Sequence, residues 1–261
     1  MPTVDFEIVE EGKVALVGFN RPEALNALNT QFSRDFGRVV DQLNEDERIR
    51  AVLVTGKGRA FCAGGDLAEF RAAGDPKQFL HDLAGSVHKS VLKIRRMNAP
   101  WVAAINGACF GVGLSLACCC DLRIASAEAT FSVGFTGVGL APDSSLLYYL
   151  PKIVGLAKAT EMVLLNIALS AEKALKIDLV SKVVEPEKLI EEAFGVAKRL
   201  ASMPTLALGM DKKMLDASFS DTLEQHLDLE LKCLRESAGT ADFQEGCTAF
   251  FGGRKADFKG S

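Results

Sequence analysis

The chain has 261 residues, of which 48% are hydrophobic and 25% are charged. At about 150 residues per domain, this length and composition favour one large globular domain, or one domain with an appendage, over a disordered or fibrous protein. Thirty basic and 34 acidic residues give a net charge of −4, and no basic run stands out, so we expect no nucleic-acid partner.

The first hundred residues alternate strand and helix signals. Lys13 to Phe19 and Ala51 to Thr55 are short, β-branched runs bounded by turn residues, which predicts two strands. Apolar residues at helical spacing predict one helix over about 31–44 and another over about 77–96.

The alternation continues through the middle of the chain. Trp101 to Ile105 reads as a buried strand, Gly107 to Gly113 as a glycine-rich turn and Leu114 to Cys120 as an apolar helix. Asp121 to Ala125 and Ala129 to Val133 are predicted as two more strands. This order is typical of α/β proteins, in which helices pack on sheets and active sites collect on the loops at one edge.

Strand signals disappear after about residue 187. One apolar stripe runs from Leu189 to Leu200 and another from Leu223 to Leu234, with Pro204 between them. We therefore expect a core over residues 1–200 and a C-terminal helical segment over residues 201–261. The stripe of that segment either covers the same core or packs against a neighbouring subunit.

The cysteines and the first residues predict a cytoplasmic protein. Seven cysteines, with Cys118 to Cys120 consecutive, do not suit a framework of paired disulfides, so reduced thiols are expected. Met1 to Asp5 lack the order of a signal peptide. Met97 to Cys120 is free of charge and long enough to cross a bilayer, but its proline and glycines fit a strand, a turn and a buried helix, and we expect no membrane contact.

Familiar cofactor and metal motifs are absent from the sequence. Gly56-Lys57 is followed by Gly58, which is not a phosphate-binding loop, and Gly111-Val112-Gly113 lacks the third glycine of a dinucleotide-binding loop. None of the three histidines is spaced for a metal site. We therefore expect neither a metal nor a separate cofactor.

Two glycine-bearing loops are more informative. Phe61 to Leu67 follows a predicted strand, and Ile105 to Gly113 joins another strand to a helix. Small residues let backbone N–H groups approach a ligand, and a helix N-terminus favours negative charge. Two such donors on one carbonyl oxygen would form an oxyanion hole, although the spacing alone is more typical of two tight turns.

These loops belong to a longer ordered set of motifs. In chain order the set is Asn20-Arg21-Pro22, Leu25-Asn26-Ala27-Leu28, Phe61 to Leu67, Pro100 through Asn106-Gly107, Asp121, and Phe243-Gln244-Glu245-Gly246 followed by Ala249, Phe250 and Phe258. The set resembles the enoyl-CoA hydratase/isomerase (crotonase) family over nearly the whole chain. The segments 61–67 and 106–121 are its most specific parts.

The resemblance implies a fold, an assembly and a substrate. The fold would be an α/β, crotonase-like spiral of ββα units whose C-terminal helical segment builds a homotrimer, often paired into a homohexamer. The substrate would be an acyl-CoA thioester, with CoA as part of the substrate. The backbone N–H groups of Ala63 and Val112 would polarise the thioester oxygen, because fixed donors stabilise an enolate without reorganising. Relatives usually carry Gly or Ala at position 112, so a valine narrows the space for the acyl group.

The sequence departs from the family at two catalytic positions. Hydratases of the family hold water between two glutamates, and the aligned residues here are Ser115 and Phe135. Neither can act as a base near neutral pH, which disfavours two-glutamate hydration. From the residues alone, the Ser115 hydroxyl is expected to bond the helix turn behind it.

Asp143 aligns with the acid of single-carboxylate members of the family, including the oxepin-CoA isomerase of phenylacetate degradation. From the residues alone, Asp143 before Ser-Ser-Leu-Leu is equally a helix N-cap. An apolar pocket containing Phe135 and Leu140 would raise its pKa, and a helix N-terminus would lower it. As a catalytic residue, Asp143 could move a proton between two acyl carbons, which is double-bond isomerisation.

His88 raises the possibility of a different reaction, in which Asp143 acts as a nucleophile. In the 4-chlorobenzoyl-CoA dehalogenase branch a histidine and an aspartate align with His88 and Asp143, and the aspartate is the nucleophile. This sequence has Val87 and Phe135 in place of that branch's tryptophans, so a role for His88 in the helix or pocket wall is favoured.

The resemblance also implies where CoA binds. The segment from Ala24 to Leu28, including Leu25 and Ala27, would cradle it together with Ala63, Asp66 and Leu67, and Arg21 or Lys255 would meet its phosphates. Each basic residue is also typical of plain solvated surface.

Three functions therefore stand as hypotheses. The first is an enoyl-CoA isomerase that uses Asp143. The second is a hydratase or hydrolase of an unusual cyclic or aromatic acyl-CoA, and the third is a subunit that binds acyl-CoA without turnover.

Overall fold

The computed structural model describes residues 2–11 and 13–261 and contains ten strands in that part of the chain. The strands are β1 (Val4–Val9), β2 (Val14–Phe19), β3 (Ala51–Gly56), β4 (Ala60–Cys62), β5 (Trp101–Ile105), β6 (Ala108–Phe110), β7 (Leu122–Ser126), β8 (Thr130–Ser132), β9 (Ala168–Ser170) and β10 (Lys182–Val184).

Eleven α-helices lie in the described residues. They are α1 (Thr30–Glu45), α2 (Leu67–Ala72), α3 (Pro76–Arg96), α4 (Val112–Cys119), α5 (Leu146–Val154), α6 (Leu156–Leu164), α7 (Ala171–Lys176), α8 (Leu189–Ala201), α9 (Thr205–Ala217), α10 (Leu223–Ala238) and α11 (Ala241–Phe251).

The strands form two sheets that the chain visits alternately. The larger sheet has the order β1-β2-β3-β5-β7-β10, and the smaller has the order β4-β6-β8-β9. β3, β5 and β7 each continue directly into a strand of the smaller sheet, and all three are parallel neighbours, as are β4, β6 and β8. Helices follow all three of these strand pairs: α2 and α3 the first, α4 the second, and α5 and α6 the third. The predicted α/β spiral of ββα units is therefore confirmed.

The larger sheet is buried on both faces, as parallel strands require. Along β3, Val52 and Val54 pack into the main core with helices α1, α3 and α4, whereas Ala51 and Leu53 pack on the opposite face against α8. This period of two explains the continuous apolar run that the sequence shows at Ala51 to Thr55.

The long amphipathic helices were predicted correctly, and their caps explain where they begin. Asn29 accepts a hydrogen bond from Phe32 N at 2.8 Å at the start of α1. At the start of α3, the Asp75 side chain accepts hydrogen bonds from the backbone N–H groups of Lys77 and Gln78, and Pro76 occupies the first turn. An N-cap side chain satisfies backbone N–H groups that have no partner within the helix.

Several elements differ from the prediction. The predicted turn over Gly107 to Gly113 contains strand β6, and α4 begins at Val112 instead of Leu114. No prediction gave the bounds of β1, β4, β9, β10, α2, α5, α6, α7, α9 or α11. Of these, α9 fills the interval after Pro204 between the two predicted C-terminal stripes. β6 is only three residues long. Because glycines flank it on both sides, the sequence pattern there predicts a turn and not a strand.

The predicted thiols and the buried middle segment are confirmed. All seven cysteines are free, and six are buried; burial raises the pKa of Cys118 to about 11. The charge-free stretch Met97 to Cys120 forms β5, β6 and α4 inside the core. Within residues 2–11 and 13–261, no helix combines the length and the apolar character needed to cross a bilayer.

Candidate active site

An apolar cavity of about 340 Å³ lies where the two glycine-bearing loops meet the walls formed by α3 and the segment after β8. Its lining residues are Leu28, Ala63, Gly64, Gly65, Leu67, Phe70, Leu80, Leu83, Ala84, Val87, Phe110, Gly111, Val112, Gly134, Phe135, Val138, Leu140, Ala141, Asp143 and Ser144. Asp143 is the one ionisable side chain in this lining. Apolar walls with a few polar groups are typical of a small-molecule site.

The two loops lie in contact because glycines let their backbones approach. A Cβ atom on Gly111 would lie 3.4 Å from the Cα of Gly64, and a Cβ on Gly113 would lie 2.1 Å from the Cys62 carbonyl oxygen. Gly111 also has φ 54°, a left-handed conformation that favours glycine. The loops that the sequence identified are therefore brought together at one end of the cavity.

The first loop presents a different N–H group from the predicted one. Ala63 N–H donates to the Leu25 carbonyl oxygen at 3.0 Å, so this group is occupied and the prediction of Ala63 as an oxyanion donor is wrong. Gly65 pairs with Leu28 in an isolated parallel bridge. In such a bridge the flanking residues bond the partner strand, so the N–H of Gly65 points away from it, and no acceptor for it lies in the described part of the chain. Gly65 also lines the cavity.

The second loop presents the predicted group. Val112 is the first residue of α4, and a first-turn N–H has no acceptor within its own helix. In residues 2–11 and 13–261 its N–H has no other acceptor, and Val112 lines the cavity. Each loop therefore presents one free donor at the cavity, Gly65 from the first and Val112 from the second.

Asp143 lies on a turn in which the next two residues are left-handed. Ser144 has φ 51° and Ser145 has φ 70°. α5 begins only at Leu146, and its N-cap residue, Ser145, makes no side-chain capping bond. The alternative role of Asp143 as a side-chain N-cap is therefore wrong, because Leu146 N–H donates to the Asp143 carbonyl oxygen, at 3.1 Å, and not to its side chain.

The carboxyl group of Asp143 is free to meet a ligand. Its Oδ1 atom is buried and has no hydrogen-bond partner among the described residues. Burial among apolar side chains raises the pKa of Asp143. Of the two opposing influences that the sequence indicated, the apolar pocket prevails.

Of the three remaining predicted pocket residues, one lines the cavity and two make hydrogen bonds outside its lining. Phe135 lines the cavity, whereas Ser115 and His88 do not. The Ser115 hydroxyl lies 3.3 Å from the Gly111 carbonyl oxygen, as expected, and it also donates to the Asp143 carbonyl oxygen at 3.0 Å. His88 Nε2 accepts from Ser144 N–H at 3.2 Å. Both residues therefore contact the backbone of the Asp143 turn.

The segment predicted to cradle CoA packs along the first loop. Leu28 N–H donates to the Gly64 carbonyl oxygen, and Asp66 N–H donates to the Leu28 carbonyl oxygen, both at 2.8 Å. Leu25 has φ 53°, and Ala24 ends the short 3-10 turn before it. Of the residues predicted to hold CoA, Ala63 and Leu67 line the cavity together with Leu28, whereas Ala24, Leu25, Ala27 and Asp66 do not.

The predicted phosphate ligands do not lie together. Arg21 donates to Asp66 Oδ2 at 3.0 Å and to the Ala27 carbonyl oxygen, so both side chains hold the loop in place. Asp66 also caps α2 through its other carboxylate oxygen. Lys255 lines a separate pocket beside Lys13, which shares no residue with the apolar cavity.

Sequence reasoning missed several wall residues. Phe70, Leu80, Leu83 and Val138 line the cavity, yet their apolar character is also that of ordinary core. In addition, Asn166 Oδ1 accepts from Gly134 N–H at 2.8 Å and so fixes the backbone beside Phe135. No sequence signal identifies these positions, because the contacts join distant parts of the chain. No cluster of possible metal ligands occurs in the described ranges 2–11 and 13–261.

Comparison with known proteins places this architecture in a family. Residues 9–261 match the model of the enoyl-CoA hydratase/isomerase family. The chain is 36% identical over 256 residues to the 1,2-epoxyphenylacetyl-CoA isomerase of Escherichia coli, with 97% of each chain covered. It is 32% identical over 249 residues to the short-chain-enoyl-CoA hydratase of Clostridium acetobutylicum, with 95% of each covered.

A solved structure agrees with these matches. The crystal structure of enoyl-CoA hydratase from Bacillus anthracis has a TM-score of 0.93 to this chain at 28% identity, covering 99% of this chain and 100% of the other. The two-sheet spiral is thus the crotonase fold. The chain belongs to the enoyl-CoA hydratase/isomerase family and is an acyl-CoA enzyme of that family.

Proposed function

We propose that this chain is an enoyl-CoA isomerase that moves a carbon–carbon double bond with Asp143 as its single acid and base. The observation that carries the proposal is the cavity lining, in which Asp143 is the one ionisable side chain. One carboxyl group is enough to take a proton from one carbon and return it to another.

The reaction follows from the positions of three groups. The Asp143 carboxylate removes a proton from a carbon next to the double bond, and the electron pair moves onto the thioester oxygen. The N–H groups of Gly65 and Val112 stabilise the resulting dienolate, because they carry no competing bond within the described chain. Asp143 then returns the proton to the carbon at the other end of the three-carbon unit.

The elevated pKa of Asp143 suits this exchange. A carboxyl group with an ordinary pKa is a weak base and holds a proton poorly near neutral pH. Burial brings the pKa of Asp143 closer to the working pH, where a group that must both accept and donate is most effective. The proton transfer needs no cofactor besides the CoA of the substrate.

Hydration receives less support from the cavity. It needs a water molecule placed and deprotonated beside the double bond, and the relevant positions hold Phe135 and Ser115. The phenyl ring lines the cavity, and the Ser115 hydroxyl bonds main-chain oxygens. Neither side chain is a base near neutral pH.

A hydrolytic route through a covalent Asp143 intermediate is also disfavoured. It needs a base to activate water, and His88 is the candidate. Its Nε2 lone pair is occupied by Ser144 N–H, and His88 does not line the cavity. A pure binding role fits poorly with a buried carboxyl oxygen that has no protein partner.

Two further features complete the proposal. The segment Ala24 to Leu28 would hold CoA with Ala63, Asp66 and Leu67, since it is bonded to the first loop and Leu28, Ala63 and Leu67 line the cavity. The C-terminal segment 201–261 would pair with copies of itself as a homotrimer, or two trimers as a hexamer. Nine large apolar residues of this segment are 48–87% exposed: Leu215, Phe219, Leu223, Leu227, Leu231, Leu234, Phe243, Phe250 and Phe251. Sedimentation should then give three or six times the 28.0 kDa chain mass.

The test uses 2-enoyl-, 3-enoyl- and cyclic acyl-CoA thioesters in deuterated water, followed by mass spectrometry and NMR. The proposal predicts a shifted double bond and deuterium in the acyl chain without added oxygen. Asp143→Asn should lower kcat by about a thousandfold and leave thioester binding intact, since the amide cannot take a proton. A product heavier by one water, or full activity of D143N, would refute the mechanism.

A further inference from the structure

The peptide unit that joins Asp143 to Ser144 is held at both ends by side chains from two different helices. Its carbonyl oxygen accepts from Ser115 of α4 at 3.0 Å. Its N–H donates to His88 Nε2 of α3 at 3.2 Å. Within residues 2–11 and 13–261 the N–H has no second acceptor.

Within the turn itself, one backbone bond closes the chain, from Leu146 N–H to the Asp143 carbonyl oxygen at 3.1 Å. Ser144 and Ser145 both have positive φ angles, a conformation that costs energy for any residue with a side chain. Their hydroxyl groups are buried without a hydrogen-bond partner in the described structure, so they make no bond that stabilises the turn. The restraint that side chains supply therefore comes from His88 and Ser115.

The contact occupies one nitrogen of the imidazole. A ring nitrogen that accepts a hydrogen bond uses its lone pair, and in this arrangement the Nε2 lone pair of His88 is taken by Ser144 N–H. In this state its Nε2 is not available to a substrate. His88 is exposed on the outer side of α3, whereas its neighbour Val87 lines the cavity.

We propose that His88 is a positioning residue that orients the Asp143 carboxyl group through the Ser144 amide. The inference rests on the proposed function, in which Asp143 moves the proton. Rotation of the 143–144 peptide would turn the Cα of Asp143 and carry its carboxyl group away from the acyl carbons. A displacement of about 1 Å is enough to cost about a hundredfold in rate.

The kinetic test compares two substitutions that differ in one property. Glutamine at position 88 offers a side-chain oxygen that can accept from Ser144 N–H, and leucine does not, whereas both are good helix formers. We expect His88→Leu to lower kcat by about ten- to a hundredfold with KM within about threefold, and His88→Gln to remain within about threefold of wild type. His81→Leu is the matched control, because His81 is exposed on the same helix and lines no part of the cavity.

A double-mutant cycle shows whether His88 acts through Asp143. In an Asp143→Asn background, the carboxyl group that His88 orients is gone, so adding His88→Leu should cause no further loss of the residual rate. An equal loss in both backgrounds would overturn the proposal. So would a wild-type kcat in His88→Leu, or equal losses in His88→Leu and His88→Gln.

Amide exchange tests the contact without turnover. We expect the deuterium exchange of the peptide containing Ser144 to accelerate at least about tenfold in His88→Leu and to stay near wild type in His88→Gln, because a hydrogen-bonded buried N–H exchanges only on opening. Unchanged exchange in His88→Leu would overturn the proposal. If exchange responds as expected while the wild-type protein isomerises no thioester, the positioning contact is supported and the proposed reaction is refuted.

Discussion

Ser115 donates its hydroxyl hydrogen to the main-chain oxygen of Asp143 at 3.0 Å, across 28 residues of sequence. Ser115 lies on α4, the helix whose first residue, Val112, presents a free N–H at the cavity. One helix therefore supplies an oxyanion donor and also supports the proposed acid. Ser115 cannot act as a base in place of the family's glutamate. In this chain it bonds the turn that carries the Asp143 carboxyl group.

Removing this hydroxyl should reduce both activity and stability. Ser115→Ala leaves the Asp143 carbonyl oxygen with Leu146 N as its one partner in the described structure. We expect kcat to fall about tenfold through the displaced carboxyl group and the free energy of unfolding to fall by about 1 kcal/mol, the usual value of one hydrogen bond. Isomerisation kinetics and urea denaturation measure the two effects.

Ser33→Ala is the matched control for this prediction. Ser33 is a buried helix serine whose hydroxyl has no partner in the described part of the chain. Its removal should leave kcat unchanged and stability equal or slightly higher. Equal losses in the two variants would show that buried serine deletion, and not the Asp143 contact, causes the effect.

The raised pKa of Asp143 predicts a stability gain when its charge is removed. A carboxyl group with a higher pKa in the folded than in the unfolded state binds more protons when folded, so stability falls as pH rises from the unfolded to the folded pKa. Asp143→Asn should therefore be more stable than wild type at neutral pH. The gain should shrink as the pH falls below the folded pKa, where Asp143 is protonated in wild type.

Asp46→Asn should behave in the opposite direction. Hydrogen bonds from Arg48 lower the pKa of Asp46, so its charged form adds stability that is lost as the pH falls through the folded pKa. Urea denaturation of both variants from pH 4 to pH 8 tests the signs. A neutral-pH loss of stability in Asp143→Asn would contradict the prediction.

Asp121 should be a major contributor to stability. Its carboxylate lies 2.7 Å from Arg95 and 3.1 Å from Lys212, and it accepts from Trp101 N at 2.8 Å. Burial lowers the pKa of Lys212. Asp121→Asn would leave two buried cations with less compensation, and we expect a loss of about 3 kcal/mol in the free energy of unfolding.

An exposed ion pair provides the comparison for Asp121. Glu172 and Lys176 are bonded at 2.9 Å with most of both side chains exposed. Glu172→Gln should leave the free energy of unfolding essentially unchanged, because solvent screens an exposed pair. Chemical denaturation of both variants tests this, and a loss below about 1 kcal/mol in Asp121→Asn would contradict the expected role of burial.

Gly113 lies where the two glycine-bearing loops are in contact, and there is no room for a side chain at this position. An added Cβ would lie 2.1 Å from the Cys62 carbonyl oxygen, and because that atom belongs to the backbone, the loops must separate. We expect Gly113→Ala to cost about 3 kcal/mol and to lower kcat by moving Val112 away from Gly65. Gly85→Ala is the control: a Cβ there meets no atom within 4 Å, so the helix should gain about 0.5–1 kcal/mol.

The sequence by itself determined those parts of the fold whose signal is local. Periodicity placed α1 and α3, because a helix buries one face at regular spacing. The β-branched runs placed β2, β3 and β5, because strands buried on both faces are continuously apolar. The ordered motifs identified the family and selected Asp143, Val112 and Phe135, all of which line the cavity.

Tertiary structure decided the features that depend on distant partners. The Leu25 oxygen occupies Ala63 N–H and so shifts the free donor to Gly65; no local pattern predicts this, since 38 residues separate the two. The sign of the Asp143 pKa shift depends on how fully surrounding elements exclude water. The supporting contacts of His88 and Ser115 exist only because α3 and α4 both pack beside the same turn.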